Sequence, residues 1–160
     1  MAMSGVSFWG YDLGGFYNTG YIGNEERPNI EDYLSSVQMG LWMPLSRAHG
    51  KTPREPWQYG DMALKEVKKW INFRHRLVPY LYHTACQTHQ SGIPMIRPLV
   101  MEYPKDPIAK IQNLSYMLGD ALLISPGFDR DEYELYLPEG RWQDIESKEV
   151  YAVSYTHLTL

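Results

Sequence analysis

One stretch, residues 6–16, constrains the fold more than any other part of the chain. It reads V-S-F-W-G-Y-D-L-G-G-F, an apolar run that leads to a single acid, Asp12, and then to Gly14-Gly15. An apolar run that ends in a turn signal is typical of a buried strand. Glycine allows a sharp turn and a close approach of a ligand to the backbone. The stretch therefore predicts a strand that delivers a carboxylate to the floor of a pocket.

A helix and a second strand are predicted to follow. Asn29 is expected to cap the helix, since Pro28 precedes it and Asp32 stands at the third helical position. Apolar residues then recur at i, i+4, i+7 and i+11, as on one face of an amphipathic helix that ends near Gly40: Ile30, Leu34, Val37 and Leu41. The short apolar segment 41–45 predicts a strand, although Pro44 interrupts it.

The segment P-L-S-R-A-H-G, residues 44–50, resembles the first predicted strand, because it too leads to a polar side chain and a glycine, here His49 and Gly50. Strand, helix and strand in this order indicate a parallel sheet, which binds ligands at the carboxyl ends of its strands. Asp12 and His49 could then share a pocket. Two interpretations stay open for each residue. Asp12 either bonds a substrate or an active-site group, or forms a structural pair with Arg47 or Arg54; His49 is either a ligand contact or structural.

A long helix is predicted over residues 61–90. Its apolar residues would lie on one side of the helix: Leu64, Val67, Ile71, Val78, Leu81 and Ala85. Pro79 is expected to kink the helix or to split it in two. Gly92 is a plausible residue to follow the last turn, and Pro94 prevents continuation.

Beyond Gly92 the periodicity changes from helical to strand-like. Short strands are predicted without helices between them, over residues 95–103, 121–125 and 133–137. In the last of these, the alternation would place Tyr133, Leu135 and Leu137 on one face and Glu134 and Tyr136 on the other. Strands in direct succession imply an antiparallel β-domain, so we place a domain boundary near residue 92.

Charge and composition argue against several classes of function. The net charge is −4 and no basic run is present, which argues against nucleic acid and anionic membranes as partners. No stretch approaches the roughly eighteen apolar residues of a membrane-spanning helix. Five Trp and thirteen Tyr are many for 160 residues, and such side chains either build a core or line a sugar-binding surface.

Neither a cofactor nor a metal is expected. Gly14-Gly15 lacks the spacing of the nucleotide-binding motifs. His75, His83 and His89 lie on the predicted long helix without an H-E-x-x-H arrangement, so a zinc site is not predicted. Cys86, the single cysteine, lies within the same helical pattern and is expected to be an inert buried thiol.

The N-terminus, M-A-M-S-G, has neither the basic nor the apolar region of a signal peptide. The lack of these regions favours a cytoplasmic protein. The chain also enters a strand pattern almost at once, as an internal cut would, so we expect a truncated chain. The last residues, 153–160, match no earlier pattern and are predicted to be a tail that is not native.

Six blocks, taken together, resemble the glycoside hydrolase family 31, which contains α-glucosidases and α-xylosidases. The resemblance runs from residue 1 to about residue 152, and its blocks occur in the family's order: F-W-G-Y-D-L-G-G-F (8–16), M-P-L-S-R-A-H-G (43–50), R-E-P-W-Q-Y-G (54–60), R-H-R-L-V-P-Y-L-Y (74–82), I-P-M-I-R-P-L (93–99) and L-G-D-A-L-L-I-S-P (118–126). No single block would suffice, but the six in order are specific.

The resemblance implies a fold and a division of the chain. Residues 1–91 would be the C-terminal part of a (β/α)8 barrel, including its seventh and eighth strands and its last helix. Residues 92–152 would be the antiparallel β-sandwich domain that follows. The family hydrolyses α-glucosides with retention, using a nucleophile and an acid/base that both lie upstream of the first block. The resemblance therefore implies no catalytic residue in this chain.

The resemblance also implies binding roles for an α-linked oligosaccharide or glycoside. His49 matches a histidine that bonds hydroxyls of the sugar, and Phe16 and Trp9 match aromatic positions at or beside the pocket wall. Asp12 and Arg47 match a charged pair that supports the floor of the site. Two departures bear on substrate choice: Tyr11 stands where histidine is common, and the 17–27 loop is longer than in many members. An α-xylosidase, an α-glucan lyase and a non-catalytic sugar-binding fragment are the alternatives.

Overall fold

The structure, a computed structural model, describes residues 1–17, 28–125, 134–154 and 156–159. The 17–27 loop, apart from Tyr17, lies outside the described residues, and so does the start of the strand predicted at Tyr133. None of the described helices is long and apolar enough to cross a membrane.

The first part of the chain is a β-α-β unit. Strand β1 (Gly10–Leu13) pairs in parallel with β2 (Leu45–Ala48), and helix α1 (Ile30–Gly40) connects them, which confirms the predicted parallel sheet. The strand predicted over 41–45 was wrong. Leu41 keeps a helical backbone as the C-cap and donates to Val37, so the buried side chains of Leu41 and Met43 lie in a turn rather than in a strand. Apolar character there reflects burial, and β2 begins only after Pro44.

Helix α1 starts and packs largely as its sequence predicts. Asn29 is the N-cap, and its Oδ1 accepts a hydrogen bond from the Asp32 backbone N–H at 2.8 Å. Val37 and Leu41 of the predicted stripe are buried, and Ile30 and Leu34 pack against the same core. The last turn of α1 crosses β1 at Gly40. A Cβ at that position would overlap the ring of Tyr11, so only glycine lets the helix approach the strand this closely.

The predicted long helix is split, as the position of Pro79 indicated. Helix α2 (Asp61–Arg76) ends before Leu77, and α3 (Val78–Ser91) begins there with proline in its first turn. Gly92 ends α3 in the left-handed conformation with φ 75°, as predicted. The predicted apolar side was partly wrong: Val78 is 51% exposed and Leu64 is 36% exposed. Val67 is buried as predicted, and the other buried positions of these two helices are Ala63, Thr84 and Thr88.

Beyond Gly92 the strands are short and pair antiparallel, as predicted. Strands β3 (Ile96–Pro98), β4 (Tyr116–Leu118) and β5 (Leu122–Ile124) form one sheet in this order. Two further pairs join β6 (Glu134–Leu137) to β9 (Thr156–Thr159) and β7 (Gly140–Gln143) to β8 (Val150–Val153). The strand predicted over 95–103 is only partly correct, because β3 is followed by the short helix α4 (Leu99–Glu102).

The face predicted for Tyr136 was also wrong. Its side chain is 5% exposed and packs with Leu99, Ala109 and Met117, and its hydroxyl donates a hydrogen bond to Asp106. A buried aromatic ring can face inward at a position that alternation assigns to solvent, provided that its hydroxyl finds an acceptor. Asp106 supplies that acceptor from a loop far from β6 in sequence.

A shared apolar cluster joins the β-α-β unit to the β-domain. Its buried members come from both sides: Met43, Met95, Ile96, Tyr116 and Leu118. Polar groups cross the same boundary, because the Tyr116 hydroxyl donates to the carbonyl of Met39 at 3.1 Å. The Tyr80 hydroxyl on α3 donates to the carbonyl of Leu118 at 2.7 Å. The two parts therefore bury one continuous interface.

The two-stranded sheet leaves much apolar surface uncovered. Leu45 on β2 is 64% exposed and Phe8 before β1 is 47% exposed. Among the described residues, no third strand pairs with β1 or β2. Open strand edges and bare apolar faces promote association between chains. We expect the isolated 160-residue chain to aggregate, as judged by size-exclusion chromatography and calorimetry. A soluble monomer with a cooperative thermal transition would contradict this prediction.

Candidate functional site

The pairing of β1 with β2 brings the first two residues of the candidate site, Asp12 and Arg47, next to each other. The register places Asp12 directly opposite Arg47. Tyr11 and Leu13 pack toward α1, so Asp12 projects from the other face of the sheet. The Arg47 Nε donates to Asp12 Oδ1 at 2.7 Å. The structural pair that the sequence left open for Asp12 is therefore formed with Arg47 and not with Arg54.

The pair keeps Asp12 ionised. The hydrogen bond from Arg47 lowers the pKa of the Asp12 carboxyl below its usual range. Partial desolvation opposes this shift, and the charges of Arg47 and His49 reinforce it. At neutral pH Asp12 is thus a carboxylate that accepts hydrogen bonds, which makes it unsuited to act as a general acid.

A glycine turn carries the chain from Asp12 to Phe16. Gly14 and Gly15 have φ values of 84° and 74°, and the Gly15 N–H donates to the carbonyl of Asp12 at 2.8 Å. Phe16 then lies beside His49, with ring centroids 5.3 Å apart. Both rings are exposed. The Lys51 N–H donates to the carbonyl of Phe16 at 3.0 Å, which ties together the loops that follow β1 and β2.

Trp9 lies on the opposite face of the sheet from Asp12. It packs, partly buried, against the cluster between the β-α-β unit and the β-domain, near Met43 and Tyr116. Its neighbours in that cluster include Tyr11, which also faces away from Asp12. The structure thus brings together Asp12, Arg47, Phe16 and His49 at the carboxyl ends of β1 and β2, and it places Trp9 behind the sheet.

Arg54 is the residue whose place sequence reasoning missed. The sequence places it in a family block and offers it as a partner for Asp12, but neither indicates that Arg54 is 2% exposed and donates to backbone carbonyls of the glycine turn. A signal was available in the sequence. The R-E-P-W box places an arginine in an irregular segment between prolines, where its backbone has no helix or strand to hold it.

This arrangement suits a polyhydroxylated ligand. A carboxylate, a guanidinium and an imidazole provide acceptors and donors, and Phe16 adds an exposed apolar ring against which a sugar can pack. Within the parts of the chain that the structure describes, no group of three or more His, Cys, Asp or Glu residues could hold a metal ion.

Comparison with known proteins links both halves of the chain to one family. Residues 1–84 match the model of the glycosyl hydrolases family 31 TIM-barrel domain, and residues 92–159 match the model of the family's C-terminal domain. The second match includes most of the segment predicted to be a tail, whose strand β9 pairs with β6. Whether residues 153–160 are native stays a prediction, which resequencing across the start of this segment would test.

Individual proteins agree with the family models. Neutral alpha-glucosidase AB of Mus musculus is 35% identical over 154 residues, covering 92% of this chain and 16% of the relative. Alpha-xylosidase XylQ of Lactiplantibacillus pentosus is 32% identical over 157 residues, covering 96% of this chain and 20% of the relative. A GH31 dextranase of Flavobacterium johnsoniae, solved with isomaltotriose, superposes with a TM-score of 0.87 at 31% identity, covering 99% of this chain and 20% of the dextranase. The chain thus spans no more than a fifth of these proteins.

The pairing of Asp12 makes a direct prediction about its titration. Replacing Arg47 by Ala removes the hydrogen bond and the charge that stabilise the carboxylate, so the pKa of Asp12 should rise. The sign for stability follows: a depressed folded-state pKa stabilises the protein above the unfolded pKa, and this contribution is lost as the pH falls through the folded pKa.

The measurement is a ¹³C NMR titration of Asp12 in the complete protein, assigned with Asp12→Asn. Arg141→Ala on β7 serves as the control, because Arg141 lies in a strand of the β-domain and should leave the titration unchanged. If the pKa of Asp12 were the same in Arg47→Ala and in the unmodified protein, the bond to Arg47 would not be what lowers the pKa of this carboxyl.

Proposed function

The chain belongs to glycosyl hydrolase family 31, and on this premise we propose that it forms the C-terminal part of the catalytic machinery of a retaining α-glycosidase. Residues 1–91 would supply the last strands and helix of a (β/α)8 barrel, and residues 92–152 the β-sandwich domain that follows. The complete enzyme would hydrolyse the O-glycosyl bonds of α-glucosides in carbohydrate metabolism.

The observation that carries this proposal is the cluster at the carboxyl ends of β1 and β2. Asp12 and Arg47 lie 2.7 Å apart there, and the rings of Phe16 and His49 meet beside them. In (β/α)8 enzymes the active site lies at this end of the barrel, because the loops after the strands converge on it. The same end of the sheet would therefore face a bound sugar.

The residues of this chain would bind and orient the sugar rather than carry out the chemistry. Retaining glycosidases use two carboxyl groups about 5–5.5 Å apart, one as nucleophile and one as acid/base. We place both on upstream strands and assign neither to Asp12, whose pKa is lowered by its bond to Arg47. His49 would donate or accept a hydrogen bond with sugar hydroxyls, and Phe16 would form part of the pocket wall.

Asp12 and Arg47 would support the floor of the site. The carboxylate faces the open side of the sheet, so it could also reach the sugar through an intervening group. The wall position proposed for Trp9 stays a prediction, and its packing against Met43 favours an indirect role through the base of β1.

The substrate class is inferred from the family. The relatives named above are an alpha-glucosidase, an alpha-xylosidase and a dextranase, which supports an α-linked glucoside with an α-xyloside as the alternative. An α-glucan lyase and a non-catalytic sugar-binding fragment are the remaining candidates. Upstream sequence would distinguish the enzyme from the sugar-binding fragment, because a W-x-D-M-x-E-like nucleophile block and a second acid before Met1 would support the enzyme. A cytoplasmic location stays a prediction.

The missing carboxylates give the first test. The purified 160-residue chain should not hydrolyse p-nitrophenyl α-glucoside, since neither a nucleophile nor an acid/base is assigned to it. The complete gene product, assayed in parallel, should hydrolyse it. Turnover by the 160-residue chain above a blank without protein would overturn the assignment of both carboxylates to upstream strands.

His49 gives the second test. In the complete enzyme, His49→Ala should lower kcat/KM by an amount equivalent to about 2–3 kcal/mol or more of transition-state stabilisation, because a hydrogen bond to a sugar hydroxyl that tightens in the transition state would be lost. His89→Ala on the exposed side of α3 is the matched control and should leave kcat/KM unchanged. If a folded His49→Ala variant kept the kcat/KM of the unmodified enzyme, His49 would not belong to the site.

A further inference from the structure

Arg54 connects the loops that follow β1 and β2. Its Nε donates to the carbonyls of Gly14 and Gly15, at 3.1 and 2.9 Å. Its Nη1 donates to the carbonyl and the hydroxyl of Thr52, at 3.0 and 2.6 Å, and to the carbonyl of Pro53 at 3.1 Å. One buried guanidinium therefore bonds the turn before Phe16 and the segment just after His49.

Two glycines fit closely around this guanidinium. A Cβ at Gly14 would lie 2.7 Å from Arg54 Cδ, and a Cβ at Gly50 would lie 2.9 Å from Arg54 Nε. Gly14 has a positive φ that favours glycine in any case, but Gly50 does not. At Gly50 the need for glycine is therefore steric, and the three atoms nearest to an added Cβ all belong to Arg54. Arg54 therefore lies against Gly50, the residue that directly follows His49.

A rigid aromatic pair holds the backbone of Arg54. The Tyr33 hydroxyl donates to the carbonyl of Arg54 at 2.9 Å, and the rings of Tyr33 and Tyr59 stack with centroids 3.7 Å apart. Tyr33 is 1% exposed, and burial raises the pKa of its phenol, so it remains a neutral donor. Arg54 is thus held at two points. Its backbone carbonyl accepts a hydrogen bond from Tyr33 of α1, and its guanidinium donates to the glycine turn.

We propose that Arg54 is the positioning residue that sets the distance between Phe16 and His49, and hence the width of the sugar pocket. This inference rests on the proposed function and assigns a role to a residue that touches neither the sugar nor the reacting atoms. Phe16 directly follows the carbonyl of Gly15 that Arg54 binds, and His49 directly precedes the glycine that Arg54 contacts. Displacing the guanidinium would let both side chains move.

The chemistry of arginine suits this role better than that of lysine. The fork of the guanidinium delivers donors in two fixed directions, one to the glycine turn and one to Thr52. An ammonium group at the end of a flexible chain cannot reproduce both. A buried charge also needs acceptors to offset its desolvation. The carbonyls of Gly14, Gly15 and Thr52 accept from Nε and Nη1, while Nη2 is buried without a hydrogen-bond partner among the described residues.

The test uses the complete enzyme with Arg54→Ala and Arg54→Lys. Misplacement of binding groups by about 1 Å costs about 100-fold in rate, so kcat/KM for p-nitrophenyl α-glucoside should fall about 100-fold in both variants. Guanidinium ion at low concentration should restore part of the activity of Arg54→Ala. Equal concentrations of sodium chloride or urea should not, since they lack a charged planar fork.

Arg97→Ala is the matched control. Arg97 is a comparably buried arginine of the β-domain, 5% exposed, and it also donates to a glycine carbonyl, that of Gly119 at 2.9 Å. Its loss should lower the thermal stability without changing kcat/KM or responding to guanidinium. If Arg54→Ala behaved in the same way as Arg97→Ala, Arg54 would be only a structural residue and the proposal would be overturned.

Gly50→Ala tests the same contact without changing Arg54. The added methyl group should displace the guanidinium and lower kcat/KM, and it should have no further effect in an Arg54→Ala background. Additive losses in the double variant would contradict the proposal. If Arg54→Ala does not fold, the single variant Gly50→Ala decides: a folded Gly50→Ala enzyme with unchanged kcat/KM would overturn the proposal.

An NMR signal separates the positioning role from the proposed activity. The His49 ring lies beside the Phe16 ring, so its ¹³C–¹H resonance reports on their separation. A shift in Arg54→Ala that guanidinium reverses supports the positioning role even if the complete protein hydrolyses no α-glucoside, in which case only the proposed function fails. An unmoved His49 resonance in an active enzyme overturns the positioning role alone.

Discussion

The parallel pairing of β1 with β2 is the constraint on which the site depends. Its register places Asp12 opposite Arg47, so both side chains leave the sheet on one face and meet at 2.7 Å. The same register sends Tyr11 and Leu13 to the other face, against α1. A shift by one residue would turn Asp12 into the apolar core, where an unpartnered carboxylate is costly. Core packing and the charged pair therefore select the same register.

The β-domain supports the strands from behind. The Tyr116 hydroxyl holds the carbonyl of Met39 at the end of α1, and Arg74 on α2 donates to the carbonyl of Leu41 in the turn that leads to β2. These carbonyls end a helix and would otherwise lie in an apolar interface without partners. Tyr80 completes the arrangement on α3 by bonding Leu118. The start of β2, and with it the position of His49, is thus fixed by residues far along the chain.

Local signals in the sequence determined the elements that depend on neighbouring residues. Asn29 and Asp32 predicted the helix start, Pro79 the division into α2 and α3, and Gly92 the helix end, because capping and proline sterics act within one turn. The order strand, helix and strand predicted the parallel pair, and the change of periodicity after residue 92 predicted antiparallel strands. The motif blocks identified the family, which the comparisons show.

Only the tertiary structure decided what depends on contacts distant in sequence. Leu41 and Met43 lie buried in a turn before β2, where Met43 packs against the β-domain. Tyr136 faces inward because Asp106 accepts a hydrogen bond from its hydroxyl. Arg54 bonds the glycine turn beside the candidate site because folding brings Gly14 and Gly15 to its guanidinium. The sequence by itself determined that a strand carries Asp12 to a glycine turn. The fold decided that Arg47 forms an ion pair with the Asp12 carboxylate and that Arg54 hydrogen-bonds the glycine turn. Both bonds join residues that are far apart in sequence, so local sequence spacing does not predict them.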